Sequence, residues 1–226
     1  SDRLAAAKSL RFTAIASYEY PSCFGPLIVY TMRYDVALQR PNQLKVVVPG
    51  DGPASEFFYD GREMVAFAPT ENLVAVASAP PTLEAALRQA QQTAQIYFPF
   101  TDLLLPDPYA AISDGAVLAY VVGPSTVVGG VKTDMVVWVS NEVFMQLWIG
   151  SEDKLPRRIR AIYRNDPRGL RHDLELANWQ LDTAIDPAHF ATDKAKAAQP
   201  MKFAVPGPAR PMPAANPAAK PARQPQ

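Results

Sequence analysis

Apolar and polar residues alternate along most of the chain. From Leu10 to Tyr20, the residues Leu10, Phe12, Ala14, Ala16, Tyr18 and Tyr20 fall on one face and Arg11, Thr13, Ser17 and Glu19 on the other, the period of two that marks a half-buried strand. After the break Pro21-Ser22-Cys23-Phe24-Gly25-Pro26, the alternation resumes over Leu27 to Gln39, with Ile28, Tyr30, Met32, Tyr34, Val36 and Leu38 on one side. The two runs predict a long antiparallel pair. Leu44 to Val48, Phe57 to Tyr59, Met64 to Ala68 and Leu73 to Ala77 predict four more strands, and Asp60-Gly61 is a tight hairpin signal between the second and third of these. Pro80 to Gly115 interrupts the pattern as the one long helical stretch. Thr82 is placed as an N-cap with Glu84 in the first turn, and Leu83, Leu87, Ala90 and Ala94 recur at helical spacing. Pro99 ends that helix or its extension, Thr101 can cap a turn bearing Leu103 to Leu105, and Pro106 and Pro108 bracket a short helix over Tyr109 to Ser113. Strand patterns return over Ala116 to Val128, Val131 to Ser140, Val143 to Ile149, Arg157 to Arg164 and Arg171 to Leu181.

Strands that follow one another without interleaved helices form an antiparallel sheet, not a doubly wound parallel one. A barrel of this strand number is too wide for its own inward side chains to fill, so the helical stretch is expected on the concave side. The expected fold is α+β, mainly β: a curved antiparallel sheet forming an incomplete, half-open β-barrel of about ten or eleven strands, with residues 80–115 as a helical lid or plug. The domain is expected to span residues 1–199. From Pro200 to Gln226 proline and alanine dominate without a periodic apolar face, which predicts a disordered basic tail. The first ten residues, SDRLAAAKSL, start inside an amphipathic helical pattern, so the native protein is expected to begin earlier.

The zero formal charge is unevenly spread. Residues 1–193 carry 16 bases against 22 acids, a net −6, while residues 194–226 carry six bases and no acid, a net +6. A mildly acidic body argues against nucleic acid as a partner. No apolar run reaches the length of a membrane helix, and the single Cys23 permits no internal disulfide.

Enzyme signatures are missing. Only His172 and His189 are present, too few and too separated for a zinc site, and Gly123-Pro124-Ser125-Thr126 lacks the second glycine of a nucleophile elbow. Asp102 and Asp107 suit acid/base pairing in principle, but at helix starts they are better read as caps. No catalytic residue, metal or cofactor is expected. Phe12, Tyr18, Tyr30, Met32, Tyr34, Phe57 and Tyr59 on the strands, with Leu83, Leu87, Phe98, Leu104 and Tyr109 from the insert, form either an ordinary core or the lining of an apolar cavity in which tyrosine hydroxyls orient a lipid-like ligand. Between Lys154 and Arg171 stand seven bases and one acid, Asp166. A hairpin in which opposed residue numbers sum to 333 sets Arg160 opposite Asp173 and Arg158 opposite Glu175, giving cross-strand ion pairs on a solvent face. Arg164, Arg168 and Arg171 have no evident acidic partner there and are the candidates for contacting a headgroup or a protein.

Several short motifs occur in order: Arg40-Pro41 with Leu44-Lys45-Val46; Phe58-Tyr59-Asp60-Gly61; Phe67-Ala68-Pro69 with Asn72; Asp102-Leu103-Leu104 followed by Asp107-Pro108-Tyr109-Ala110; and Gln146-Leu147-Trp148-Ile149 followed by Pro156-Arg157 and Ile162-Tyr163. Together they resemble a family of predicted periplasmic bacterial proteins related to the LolA/LolB and LppX lipoprotein-carrier superfamily. The resemblance spans about residues 1–190. It departs at Lys132-Thr133-Asp134-Met135, where relatives often carry a Cys/His-containing stretch, and in the basic tail. It implies a half-barrel with helices in its mouth, periplasmic location, and a non-enzymatic role in binding or carrying a lipid or the acyl chains of a lipoprotein in a hydrophobic cavity. The alternative expectation is an envelope interaction or structural module with a fully packed core and a protein partner.

Overall fold

The alternating runs become strands close to the residues where the pattern places them. In the computed structural model, which describes residues 2–50 and 52–205, α1 (Asp2–Ala6) leads into β1 (Ser9–Pro21), β2 (Leu27–Gln39), β3 (Gln43–Val48), β4 (Ser55–Tyr59), β5 (Glu63–Ala68) and β6 (Leu73–Ser78). The helical stretch forms α2 (Leu83–Ala94), α3 (Thr101–Leu104) and α4 (Pro108–Ser113). Then follow β7 (Ala116–Ser125), β8 (Thr133–Ser140), β9 (Val143–Gly150), β10 (Pro156–Tyr163), β11 (Arg171–Leu181), α5 (Asp193–Lys196) and β12 (Gln199–Met201).

The described residues build one curved, open, 12-stranded sheet in the order β12-β6-β5-β4-β3-β2-β1-β11-β10-β9-β8-β7. Every pairing is antiparallel except β12 on β6. Two meanders therefore meet at the β1–β11 seam. The 333 register holds, with Arg160 opposite Asp173, Ile159 opposite Leu174 and Arg158 opposite Glu175. At the β4–β5 hairpin the Asp60 carboxylate accepts from the backbone of Arg62 and Glu63, each at 2.9 Å. Gly61 turns there at φ 88°, where a Cβ would strike the Asn42 side chain.

Two expectations need correction. The strand count is twelve because Gln199, Pro200 and Met201 pair with Leu73, Val74 and Ala75. The same pairing brings the start of the expected tail into the sheet, and Phe203 packs against the core. Residues 206–226, the rest of that expected tail, lie outside the described residues.

The insert packs on the sheet unevenly, and its sequence explains why. Thr82 caps α2 by accepting from the Ala85 N–H, and the helix buries Leu83, Ala86, Leu87 and Ala90, one stripe at helical spacing. It ends at Gln95 in a left-handed conformation (φ 55°), which turns the chain back across the sheet. Tyr59 donates to the Pro80 carbonyl at 2.9 Å and Gln89 to the Ser78 carbonyl at 2.9 Å, tying α2 to the β4–β6 side. Phe98 and Phe100 then enter the core beside β1 and β2. One guanidinium fastens the short helices: Arg40, at the β2–β3 turn, donates to the carbonyls of Leu4 (3.3 Å) and Ala7 (3.1 Å) around α1, and of Leu104 (3.0 Å) and Leu105 (3.2 Å) at the end of α3. These are carbonyls that short helices leave unsatisfied. By contrast, α4 buries only Pro108.

Candidate functional site

The aromatic residues expected to line a cavity are brought together, but against one another. Phe12 meets Phe100 edge-on at 5.5 Å and stacks on Trp179 at 4.5 Å. Tyr34 meets Phe98 and Phe100 at 6.2 and 5.3 Å, and Phe57 meets Phe98 at 5.4 Å. These are ring separations of a packed core. Phe12, Tyr34, Phe57, Tyr59, Leu83, Leu87, Phe98 and Leu104 are all buried in one cluster, and Met32 packs on its edge. These side chains make a packed core over β1 to β5.

Space remains on the other side of the seam. A groove of about 760 Å³ lies between α1 and α4 and the strands β7, β8 and β9. Leu103 and Ile112 form one wall, with Ala119, Val136, Trp138 and Leu147 among the strand residues. Tyr109, expected to face the interior, is 68% exposed at the groove's mouth. Most of the lining side chains are apolar; Asp2, Arg3, Ser113 and Lys154 are the exceptions, beside the phenols of Tyr109 and Tyr120. The Trp138 indole N–H is buried and has no acceptor among the described residues.

A second compartment of about 310 Å³ shares Leu103 and Ile112 with the groove. Here the phenols of Tyr18, Tyr34, Tyr97 and Tyr163 gather with His172 and Asp102. Burial pushes the Asp102 carboxyl up from its ordinary value. Burial likewise raises the Tyr34 phenol, with a smaller contribution from Tyr18. Tyr18 stacks on Tyr30 at 5.7 Å, and Tyr30 itself is exposed toward the β1–β2 hairpin tip, where Phe24 is 90% exposed.

The carboxylates expected as caps divide. Asp107 caps α4, accepting from the Ala110 N–H at 2.9 Å. Asp102 lies in the first turn of α3 but does not cap it, and neither does Thr101, whose hydroxyl donates to the Phe98 carbonyl at 2.8 Å. No group of three or more His, Cys, Asp or Glu among the described residues is placed to hold a metal.

The basic hairpin also sorts itself. Arg158 pairs with Asp173 at 2.9 Å and reaches Glu175 at 3.9 Å, so Asp173 is taken diagonally and not by the opposed Arg160. The expectation that Arg171 lacks an acidic partner is overturned. Its backbone N–H donates to Glu19 at 3.0 Å, its Nε at 2.7 Å, and its Nη2 bonds the same carboxylate. Glu19 is 152 residues away in sequence, so no local pattern showed it. Arg164 donates to the Ser140 carbonyl at 3.0 Å. Arg168 is exposed, and among the described residues only its backbone N–H is engaged, by Asp166 at 3.0 Å. Sequence reasoning missed the groove residues on β7 to β9, because an apolar face that remains uncovered has the same alternation as one that is covered.

The chain is similar in fold to a conserved protein from Thermus thermophilus, with TM-score 0.50 and 14% identity over 89% of this chain and 95% of that one. It is also similar to a LolA-superfamily protein from Nitrosomonas europaea (TM-score 0.38, 11% identity, 83% of this chain and 92% of that one). A third similar structure is the Pseudomonas aeruginosa MucA/MucB complex (TM-score 0.42, 14% identity, 84% of this chain and 58% of that one). No curated protein matches the chain. No described helix is long and apolar enough to cross a membrane. The family model described as a predicted periplasmic protein, DUF2092, matches residues 1–204, and the chain belongs to that family.

Proposed function

We propose that this is a non-enzymatic periplasmic binding or carrier protein for a hydrophobic ligand, a lipid or the acyl chains of a lipoprotein. The ligand lies in the groove over β7, β8 and β9, with α4 as the movable part of a lid whose remainder is a fixed plug. The observation that carries this reading is the groove itself: about 760 Å³, mostly apolar, and more than twice the volume of the compartment that adjoins it. Ligand sites of about 300–1,000 Å³ with mostly apolar walls and few polar groups are the common form. Each acyl CH₂ buried there contributes about 0.8 kcal/mol. Tyr109 stands at the mouth, and Tyr18 and Tyr34 line the adjoining compartment, where hydroxyls can orient a polar head. Of the remaining expected lining residues, Phe12, Met32, Phe57, Tyr59, Leu83, Leu87, Phe98 and Leu104 act through the core beside the groove, not by touching the chain inside it, and Tyr30, exposed near the hairpin tip, does not line it.

The test is displacement of a fluorescent fatty acid, with mass spectrometry of lipid extracted from the purified protein. Wild type is expected to retain lipid and bind the probe, while Ala119→Trp and Ile112→Glu lose at least about tenfold in affinity. Absence of lipid together with no probe binding would end this reading.

The filled aromatic core and the exposed Arg168 favour a second reading, an envelope interaction module. Under it, charge reversal at Arg164 and Arg168 abolishes partner capture, and the fatty-acid probe never binds.

A further inference from the structure

Among the described residues one edge of the sheet is open. β7 ends the strand order, β8 is its only strand neighbour among the described residues, and its outer backbone N–H and C=O groups meet no other strand. Exposed edges are ordinarily blunted by charge, by shortness or by a covering element. Here the edge strand is ten residues long, and the chain from Gly115 to Val131 carries no charged side chain. Val117, Leu118, Tyr120, Val121 and Val122 are each between 47% and 72% exposed. Only Gly123, Pro124 and two bulges interrupt the strand, and Gly123 and Pro124 stand near its far end.

The chemistry of this edge selects its occupant. A row of unpaired backbone donors and acceptors is satisfied by another strand, whereas an acyl chain offers nothing to it. A second copy of this chain complements the edge by construction: antiparallel pairing across a two-fold axis sets each strand against itself, and an uncharged strand does so without like-charge repulsion. We propose that two copies pair β7 to β7, joining their sheets into one. A two-fold axis perpendicular to the sheet keeps both concave faces on the same side. The groove wall made by Ala119, Tyr120 and Val121 therefore continues onto the other copy, and the two grooves adjoin. This pairing stands whether or not the groove holds a lipid.

Sedimentation equilibrium on the full chain, together with a Leu118→Lys/Val122→Lys variant, tests the proposal. Neither substituted residue lines the groove. The expected result is a concentration-dependent dimer of wild type, weakened at least about tenfold in the variant, with an unchanged melting temperature at concentrations where both are monomeric. A spin label on Tyr120→Cys in a Cys23→Ser background reports the geometry, and a short distance across the axis is expected from strands about 5 Å apart. A wild type that stays monomeric at every concentration overturns the proposal, including when β7 instead accepts a strand from another protein. So does a dimer indifferent to the two lysines or one whose labels lie far apart.

Discussion

Glu19 and Arg171 show how a single side chain changes its meaning once the fold is formed. The Arg171 side-chain hydrogen bonds pull the Glu19 carboxyl below its ordinary value, opposed by burial and assisted by the Arg171 backbone N–H and charge. An unfolded glutamate titrates near about 4.3. Because the folded value is lower, the bond's contribution is complete above the unfolded value and is lost as pH falls through the folded one. The melting temperature of wild type should therefore exceed that of Glu19→Gln near neutral pH, with the gap closing as pH is lowered below about 4. A gap that is constant across this range would show that the carboxylate's charge is not what the arginine reads. Arg40 is the complementary case, a cation held by carbonyls alone; burial lowers its pKa.

Among the elements, α4 is the least anchored of the three helices in the insert. It has one buried residue against the four of α2, and its cap is the single bond from the Ala110 N–H to Asp107. Asp107→Ala should cost about 1 kcal/mol locally. The expected readout is faster amide exchange confined to residues 108–113, together with faster release of a bound fatty-acid probe. Equal exchange in both proteins would mean that packing, not the cap, holds α4 in place. The strands were legible because alternation, turns and the 333 register are local properties: β2 and β11 have the boundaries that the pattern predicts, and Arg158 lies opposite Glu175. The α2 stripe was legible for the same reason. What could not be read was any pairing between distant segments: β12 on β6, Arg171 on Glu19, and which part of the sheet the insert covers. Phe12 and Trp138 both lie on alternating strands, and only the path of the chain after Gln95 decides that one meets Phe100 while the other borders open space.

The whole molecule is therefore divided between a closed side and an open one. Over β1 to β5 one face of the sheet packs against α2, Phe98 and Phe100 with only the smaller compartments beside them, while β7 to β9 border the groove. Local stability follows burial. Native-state hydrogen exchange should be slowest in β1 to β4 and fastest in β7, with a saturating hydrophobic ligand slowing β7 to β9 selectively. Uniform protection across the sheet would contradict this division.

The opposite edge sets a limit on growth. β12 has only three residues, and Pro200 within it has no N–H to offer. A sheet that grows by adding whole molecules needs two receptive borders, one to receive and one to present. Among the described residues this sheet has a single such border. Association along it consumes that border in the first step, so it yields a finite pair and stops short of a fibre.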